Sequence, residues 1–134
     1  MITAVDSNIF FDMLARDPRF VDSSKRALRE ASREGALVAC DVVWAEVAAW
    51  FARPEDQSVD FAEMGVGFSE TDEPAAHLAG QTWRSYRAAG GSRSRLVGDF
   101  LVGAHAQMHA DRLLTRDRGF FRNHFADLQV IEPT

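Results

Sequence analysis

Short apolar runs alternate with longer helical segments along the whole chain, and this alternation limits the possible folds more than any other feature. Strands separated by helices favour a parallel sheet with helices on both faces. The sequence therefore predicts an α/β fold, in which ligands bind beyond the carboxyl ends of the strands where the strand order reverses. We predict strands at Ile2–Val5, Ala36–Cys40, Val66–Phe68, Arg112–Thr115 and Leu128–Ile131.

The helical segments are bounded by residues that typically start or stop helices. Pro18 suits the first turn of the second helix, and Asp41 suits the N-cap of the third. Gly35 and the pair Gly90-Gly91 suit helix ends. We predict helices at Ser7–Ala15, Pro18–Glu34, Val42–Ala52, Pro54–Met64, Glu73–Ala89, Val97–Ala110 and residues 119–124.

At 134 residues, of which 46% are hydrophobic, the chain has the size and composition of one folded domain, so we predict a single domain over 1–134. The longest apolar stretch, Val42–Ala52, is interrupted by Glu46 and is too short to cross a membrane. The opening residues MITAVD lack the basic leader of a signal peptide. We therefore expect a cytoplasmic protein in which the one cysteine, Cys40, is a buried thiol.

The net charge of −5 argues against a general electrostatic attraction to nucleic acid. The basic residues are nevertheless unusual, because Lys25 is the only lysine among 15 of them. Arginine binds phosphates and carboxylates through two parallel hydrogen bonds, which lysine does not. A coding bias explains most of these arginines equally well, so they only suggest phosphate binding.

Four carboxylates stand in positions that suggest a common site. Asp6 directly follows the first predicted strand, and Asp117 lies two residues beyond the fourth. Glu46 is the only charged residue in the run VVWAEVAAWF, and Asp99 is the only one in LVGDFLVGA. We expect both of these helices to be buried on nearly all sides, where an ionised carboxylate is costly unless another group compensates its charge.

Each of the two helical carboxylates also has a structural explanation. Asp99 lies in the first turn of its predicted helix, where the helix dipole and the free N–H groups favour an anion. Glu46 lies in the middle of its helix, so its best structural explanation is an ion pair with Arg93 or Arg95.

A common site for all four carboxylates would concentrate negative charge and would need cations. Oxygen ligands suit Mg²⁺ or Mn²⁺, whereas Zn²⁺ prefers histidine or cysteine. Such metal ions activate water and stabilise the leaving oxygen of a phosphodiester. Hydrolysis of a nucleic-acid backbone is therefore the chemistry that the pattern favours.

The same residues resemble the motifs of the PIN-domain family. DSNI at residues 6–9 resembles the first motif, and the isolated Glu46 resembles the second. GDFLVGAHA at residues 98–106 and LLTRDRGFF at residues 113–121 resemble the third and fourth, and these two are the most specific. The order and spacing match across essentially the whole chain, and the length is similar to that of VapC-type toxins of type II toxin–antitoxin modules. Residues 53–90 inherit nothing specific, because the family's sequences agree poorly there.

The resemblance implies a PIN-like three-layer α/β/α sandwich with a mostly parallel sheet of four to five strands. It implies a Mg²⁺- or Mn²⁺-dependent endoribonuclease that forms a homodimer and is neutralised by a cognate antitoxin protein. By the same resemblance, Asp6 and Asp99 would bind the principal metal, and Glu46 and Asp117 would complete the site directly or through water. Glu46 could instead orient the attacking water, and Thr115 would support the fourth acid.

Several neighbouring residues could contribute to the site or only to the structure. Ser7 could contact the metal shell or a substrate phosphate, or cap the first helix, and Asn8 is expected to be a structural hydrogen-bonding residue. The arginines beside the acidic motifs could contact RNA phosphates at the rim, although surface ion pairs explain each of them as well. These arginines are Arg93, Arg95, Arg116 and Arg118.

His105 and His109 have the i, i+4 spacing of a metal-binding pair on a helix. They lie roughly 240° and 280° around the helix from Asp99, so we expect them to pack in the core or in an interface instead. The large aromatic residues could stack on bases, but their helical spacing favours core or dimer contacts. They are Trp44, Trp50, Phe51 and Trp83.

Two other enzyme classes require residues that the chain lacks. A haloacid-dehalogenase-like phosphatase needs an aspartate where this chain has Asn8, and a phosphoacceptor receiver domain needs a lysine near a late strand end. A non-catalytic PIN module that binds RNA or an antitoxin remains the main alternative. DNA also remains open as a substrate, because the metal chemistry attacks a phosphodiester regardless of the sugar.

Overall fold

Five strands form the centre of the protein in the computed structural model, which describes residues 1–134. They are β1 (Ile2–Val5), β2 (Ala36–Cys40), β3 (Val66–Ser69), β4 (Arg112–Leu114) and β5 (Val130–Ile131). Their order across the sheet is β3-β2-β1-β4-β5, and every neighbouring pair is parallel. The predicted α/β fold with a parallel sheet is therefore confirmed.

Seven helices cover the sheet. They are α1 (Ser7–Leu14), α2 (Val21–Glu34), α3 (Asp41–Ala48), α4 (Pro54–Met64), α5 (Glu73–Ala88), α6 (Val97–His109) and α7 (Arg118–His124). Because crossovers between parallel strands are right-handed, the connections from β1 to β3 place α1–α4 on one face, and those from β3 to β5 place α5–α7 on the other. None of the helices is long and apolar enough to cross a membrane.

The strand order reverses between β1 and β4, at the centre of the sheet. The chain runs outward from β1 to β2 and β3, and then crosses to β4 on the other side of β1. At such a reversal the neighbouring connections go to opposite faces and leave a crevice at the carboxyl ends of the strands. Asp6 and Thr115 directly follow β1 and β4, so both lie at this crevice.

Helix α6 is buried on nearly all sides, as the sequence predicted. Its glycine at position 103 is required by packing, because a Cβ atom on Gly103 would overlap the ring of Phe125. This close contact fixes the helix whose first turn contains Asp99. The buried residues of the helix are Phe100, Val102, Gly103, Ala104, His105 and Ala106.

The third helix begins and ends earlier than predicted. It covers Asp41–Ala48 rather than Val42–Ala52, and Cys40 occupies the N-cap position that we had assigned to Asp41. The Asp41 carboxylate instead accepts hydrogen bonds from the backbone N–H and the hydroxyl of Thr71, at 3.2 and 2.7 Å. Asp41 is therefore needed to join the start of this helix to the segment after β3.

The same helix is also more exposed than predicted. Only Val43 and Val47 are buried within it, and Glu46 is exposed. The prediction of burial on nearly all sides was therefore wrong for α3. Val43 and Val47 lie on one narrow buried face of the helix, whereas Ala45 and Glu46 are exposed.

The second helix begins at Val21 rather than at Pro18. Residues 17–20, which precede the helix, form a turn that Asp17 stabilises. Its backbone carbonyl accepts the N–H of Phe20, and its carboxylate accepts the N–H of Arg19. A local side-chain contact thus competes with the first helical turn. The other predicted boundaries differ from the structure by at most two residues at either end.

Asp12 is a buried carboxylate of α1 with a complete set of partners. Arg116 donates two hydrogen bonds of 2.7 Å to its two oxygens, and the Ser24 hydroxyl donates one of 2.6 Å. The Arg116 guanidinium also lies over Phe20, 4.0 Å from the ring centroid. This network ties α1 and α2 to the residues after β4, and it thereby fixes the backbone beside Asp117.

We expect Asp12→Ala to destabilise the protein, because it leaves the Arg116 guanidinium without its carboxylate. Breaking a buried pair costs about 3–5 kcal/mol, and the 31% exposure of the Arg116 side chain lowers this expectation to about 2–3 kcal/mol. Urea denaturation checks the prediction, with the exposed Asp127→Ala as the control. A loss of unfolding free energy no larger than that of the control would contradict it.

Candidate acidic site

Thr115 is the central hydrogen-bonding residue at the crevice between β1 and β4. It is fully buried, and its hydroxyl donates a hydrogen bond of 2.8 Å to Oδ2 of Asp6. Oγ1 of Thr115 also accepts hydrogen bonds from the backbone N–H of Asp117 at 3.0 Å and from the side-chain amide of Asn8 at 3.2 Å. A single side chain therefore positions the carboxylate of Asp6 and the backbone of Asp117 together.

Asp6 caps α1 at the same time as it faces the crevice. Its Oδ1 accepts the backbone N–H of Ser7 at 2.8 Å, and its own N–H donates to the carbonyl of Leu114 at 3.0 Å. The amide of Asn8 lies 3.4 Å from Oδ2 of Asp6, and its carbonyl accepts the backbone N–H of Arg116. Asn8 thus supports the site by hydrogen bonding, which is the structural role that the sequence suggested.

The pKa of Asp6 is raised above its usual value. Desolvation by burial is the largest cause, and the charges of Asp99 and Asp117 act in the same direction. Hydrogen bonds from Thr115 and Ser7 oppose these effects. The carboxylate is therefore shielded from water and close to two further negative charges, so its ionised form needs positive charge nearby.

Glu46 faces the same site from α3, although its side chain retains substantial solvent exposure. Desolvation is the main cause that raises its pKa, and the charges of Asp6 and Asp99 add to it. The Ser7 side chain partly offsets this rise by hydrogen bonding. No arginine forms an ion pair with Glu46, so the structural explanation considered for it does not apply.

Asp99 lies at the start of α6. Its carboxylate accepts the backbone N–H of Leu96 at 3.3 Å, within the first turn of the helix. The helix N-terminus therefore stabilises its charge, as expected from its position. The same charge acts on Asp6 and on Glu46, because it contributes to the raised pKa of each.

Asp117 has a counter-ion within the chain. Nη1 of Arg95 lies 2.5 Å from Oδ2 of Asp117, and the guanidinium lies over Phe120 at 4.2 Å from the ring centroid. The hydrogen bond to Asp117 is the main cause that raises the pKa of Arg95. Arg95 thus neutralises one of the four predicted site carboxylates in this structure.

The four groups fit a magnesium or manganese ion by charge and by donor type. All are carboxylates, and charge effects connect Asp6 with each of the other three. They do not form a closed ligand set, because no three Asp, Glu, His or Cys side chains lie close enough together to hold a metal ion. Coordination by these residues therefore requires side-chain adjustment, in particular at Asp117.

The arginines beside the site differ in whether, and with which carboxylate, they form an ion pair. Arg116 is bound to Asp12, and Arg118 is bound to a glutamate after β5. Arg95 is bound to Asp117, whereas Arg93 is exposed and takes part in no ion pair. The RNA contacts predicted for these residues stay predictions, and Arg93 is the one whose guanidinium is free.

The large aromatic side chains have different surroundings. Trp44 packs edge-on against Phe61, with ring centroids 4.7 Å apart, and Phe51 packs against the core. Trp50 is 52% exposed. Trp83 is half-buried, and its ring supports the guanidinium of an arginine one helical turn later. Core packing thus accounts for Trp44 and Phe51 but not for the exposed surface of the other two.

The two histidines of α6 belong to a separate polar cluster that joins α6 to β3 and α5. His105 is fully buried, and its Nε2 lies 2.8 Å from the hydroxyl of Ser69. Nε2 of His109 lies 2.9 Å from the carboxylate of Asp72, the N-cap of α5. Burial lowers the pKa of His105, the charge of His109 adds to this effect, and Asp41 and Asp72 oppose it. His105 therefore packs in the core, as predicted, whereas the half-buried His109 is held by Asp72.

We expect acidification to reduce stability through His105. Its pKa in the folded protein lies below the usual 6.5, so the unfolded chain takes up a proton that the folded chain does not. The stabilisation is complete above this usual value and is lost as the pH falls below it, with a slope of up to about 1.4 kcal/mol per pH unit. Urea denaturation between about pH 7.5 and 5.5 measures this slope.

His105→Asn should flatten that slope, because it removes the titrating ring and keeps a polar group. His77→Asn is the matched control, since the His77 side chain is 70% exposed. If both variants keep the slope of the wild-type protein, His105 is not its source.

This geometry defines the class of protein: an α/β fold with a parallel sheet and an acidic site at its switch point. The chain belongs to the PIN-domain family, whose model, described as "PIN domain", matches residues 3–126. A search of curated protein sequences finds no match.

Solved structures share this fold over essentially the whole chain. VapBC2 from Rickettsia felis, bound to a DNA fragment from its promoter, has a TM-score of 0.76 and 18% identity and covers 100% of both chains. VapBC-1 from nontypeable Haemophilus influenzae has a TM-score of 0.73 and 19% identity, with 98% of both chains covered. A toxin–antitoxin complex from Klebsiella pneumoniae has a TM-score of 0.68 and 20% identity, also with 98% of both chains covered.

Proposed function

We propose that this protein is a Mg²⁺- or Mn²⁺-dependent endoribonuclease and the toxin of a type II toxin–antitoxin pair. The observation that supports this most directly is the environment of Asp6. This carboxylate is buried at the switch point, is held by Thr115, and lies near enough to three further carboxylates for their charges to interact. A group arranged in this way favours a divalent cation, and the family is one of nucleases.

Asp6 and Asp99 are assigned as the principal metal-binding groups. Glu46 and Asp117 complete the site, directly or through water, and Glu46 is exposed enough to orient an attacking water instead. A bound divalent ion would supply activation of that water and charge stabilisation at the phosphate. Thr115 and Ser7 orient the Asp6 carboxylate, since the Thr115 hydroxyl donates to one of its oxygens and the Ser7 backbone N–H donates to the other.

An antitoxin partner is supported by the similar structures, which are VapBC and other toxin–antitoxin complexes. An apolar groove of about 460 Å³ between α1, α2 and α4 offers such a partner a place for hydrophobic side chains. A homodimer and a cytoplasmic location are retained as part of the same proposal. The groove is lined by Met13, Lys25, Leu28, Arg29, Ser32, Glu63 and Met64.

A non-catalytic PIN module that binds RNA or an antitoxin is the second candidate. Two observations favour it: Arg95 neutralises Asp117, and the carboxylates do not form a closed ligand set. Cleavage of RNA by the purified protein, freed of any antitoxin, separates the two candidates.

We expect wild-type protein to cut total cellular RNA into discrete fragments with Mg²⁺ or Mn²⁺ and not with EDTA. Asp99→Asn should lower the rate by about 100-fold or more, because it removes a ligand charge and keeps the shape of the side chain. Asp127→Asn, an equal change at an exposed position, should cut like the wild type. Undiminished, metal-dependent cleavage by folded Asp99→Asn would refute the assignment, and intact RNA with every protein would favour the binding module.

We also expect millimolar Mg²⁺ or Mn²⁺ to raise the melting temperature of the wild type. Binding only to the folded state at ten times Kd adds about 1.4 kcal/mol, or about 5 °C for a protein of this size. Asp6→Asn should lose this shift. Arg95→Gln should enlarge it, because the guanidinium no longer competes for Asp117. An equal shift in wild type and Asp6→Asn would place the ion elsewhere.

A further inference from the structure

A cleft of about 480 Å³ lies between the end of α5 and the loop that precedes α6. Its volume falls within the range of small-ligand sites, which is roughly 300–1,000 Å³. No acidic side chain contributes to its walls. The lining residues are Trp83, Arg87, Gly91, Ser92, Arg93, Arg95 and Leu96.

The segment that forms this cleft has the opposite charge to the rest of the protein. Residues 74–98 contain four arginines and no aspartate or glutamate, although the chain as a whole has a net charge of −5. Three of these arginines line the cleft, and the fourth, Arg84, lies on α5 outside it. Positive charge is therefore concentrated at one place on an otherwise acidic protein, and local charge of this kind attracts anions.

Two of the lining arginines have no carboxylate partner. Arg87 and Arg93 are exposed and take part in no ion pair. The guanidinium of Arg87 lies over Trp83, 4.5 Å from the ring centroid. This stacking restricts the side chain while its N–H donors stay available, so less entropy is lost when it binds an anion.

The shape of the loop is fixed by contacts with α5. The hydroxyl of Tyr86 donates a hydrogen bond of 2.8 Å to the carbonyl of Ser92. A Cβ atom on Gly91 would overlap the ring of Tyr86, so only glycine permits this approach. The loop that presents Arg93 is thus held against the helix that presents Arg87.

The third lining arginine connects the cleft to the acidic site. Arg95 lines the cleft and also binds Asp117 at 2.5 Å. An extended anion lying in the cleft would therefore reach Arg95 and, beyond it, Asp117. A polymer of phosphodiesters matches this layout, because one phosphate can lie at the carboxylates while its neighbours lie among the arginines.

We propose that this cleft is a subsite for single-stranded RNA, in which Arg87 and Arg93 bind phosphates of the strand on one side of the scissile bond. Trp83 is the positioning residue that holds Arg87. The choice of RNA rests on the proposed function, whereas the phosphate-binding role of the two arginines rests on the cleft itself. Binding here depends on the backbone, so it supplies affinity and direction rather than base specificity.

The test is fluorescence anisotropy with a labelled single-stranded RNA of about 16 nucleotides. All variants are made in Asp99→Asn and measured with Mg²⁺, so that binding is observed without cleavage. Arg87→Gln/Arg93→Gln should weaken binding by at least about tenfold at 0.1 M salt and lower the slope of log Kd against log salt by about 1.4, the value for two phosphate contacts. Trp83→Leu should weaken binding by about threefold and leave the slope unchanged.

Arg84→Gln/Arg122→Gln is the matched control. It removes the same charge from two exposed arginines that have no ion pair and do not line the cleft. An equal loss of affinity in this control, or no loss in Arg87→Gln/Arg93→Gln, would overturn the proposal. It would also be overturned if an acidic poly-glutamate peptide, and not RNA, required the two arginines, since the cleft would then bind a protein.

A cleavage assay with the wild-type protein, whose Asp99 is intact, distinguishes failure of this proposal from failure of the function on which it rests. If wild type cuts RNA while the arginine variant binds normally, the cleft proposal fails and the nuclease stands. If binding depends on Arg87 and Arg93 while no condition gives cleavage, the subsite stands and the catalytic proposal fails.

Discussion

The hydrogen bond from Thr115 to Asp6 joins the ends of the two central strands, and the acidic site depends on it. This hydrogen bond joins residues that are 109 positions apart in the sequence, and it forms only when β1 and β4 are paired. Because the strand order reverses at this pair, the helices that follow β1 and β4 lie on opposite faces and leave the strand ends open. The fold thus creates the crevice, and one hydroxyl determines how the first carboxylate lies in it.

A comparison of two buried aspartates shows how the protein distributes positive charge. Asp12 is 2% exposed and is neutralised by two hydrogen bonds from Arg116. Asp6 is 8% exposed and receives hydrogen bonds only from neutral donors, so its charge is left without a counter-ion. Asp6 is the N-cap of α1, and Asp12 lies within the same helix. Asp12 therefore stabilises the fold, whereas Asp6 has no counter-ion within the chain and can be neutralised by a bound cation.

The sequence predicted the elements of the fold well because its signals are local. Strand and helix segments follow from apolar periodicity and from residues such as Gly35 and Pro54, and the parallel sheet follows from their alternation. The predictions for Pro18 and Asp41 were wrong because two hydrogen bonds override a local preference: the N–H of Arg19 donates to Asp17, and the hydroxyl of Thr71 donates to Asp41. The exposure of Glu46 could not be predicted, since it depends on how narrowly α3 contacts the sheet.

The site was less predictable because its contacts are long-range. The motifs placed Asp6, Thr115 and Asp117 at one sheet edge, but they gave no indication that Arg95 would bind Asp117. The Arg116–Asp12 pair spans 104 residues, and only the isolated charge in NIFFDML hinted that Asp12 needs a partner. Arg87 belongs to none of the motifs, and only the absence of acidic residues from 74 to 98 indicates its role in the sequence.

The distance in sequence between Asp6 and Thr115 has a consequence for synthesis. A ribosome makes β1 well before β4, with two other strands between them, although β1 and β4 are neighbours at the centre of the sheet. Until β4 has emerged, Asp6 lacks the hydrogen bond from Thr115, and one edge of β1 is unpaired. The acidic site can therefore assemble only after β4 has been made, however early its first carboxylate leaves the ribosome.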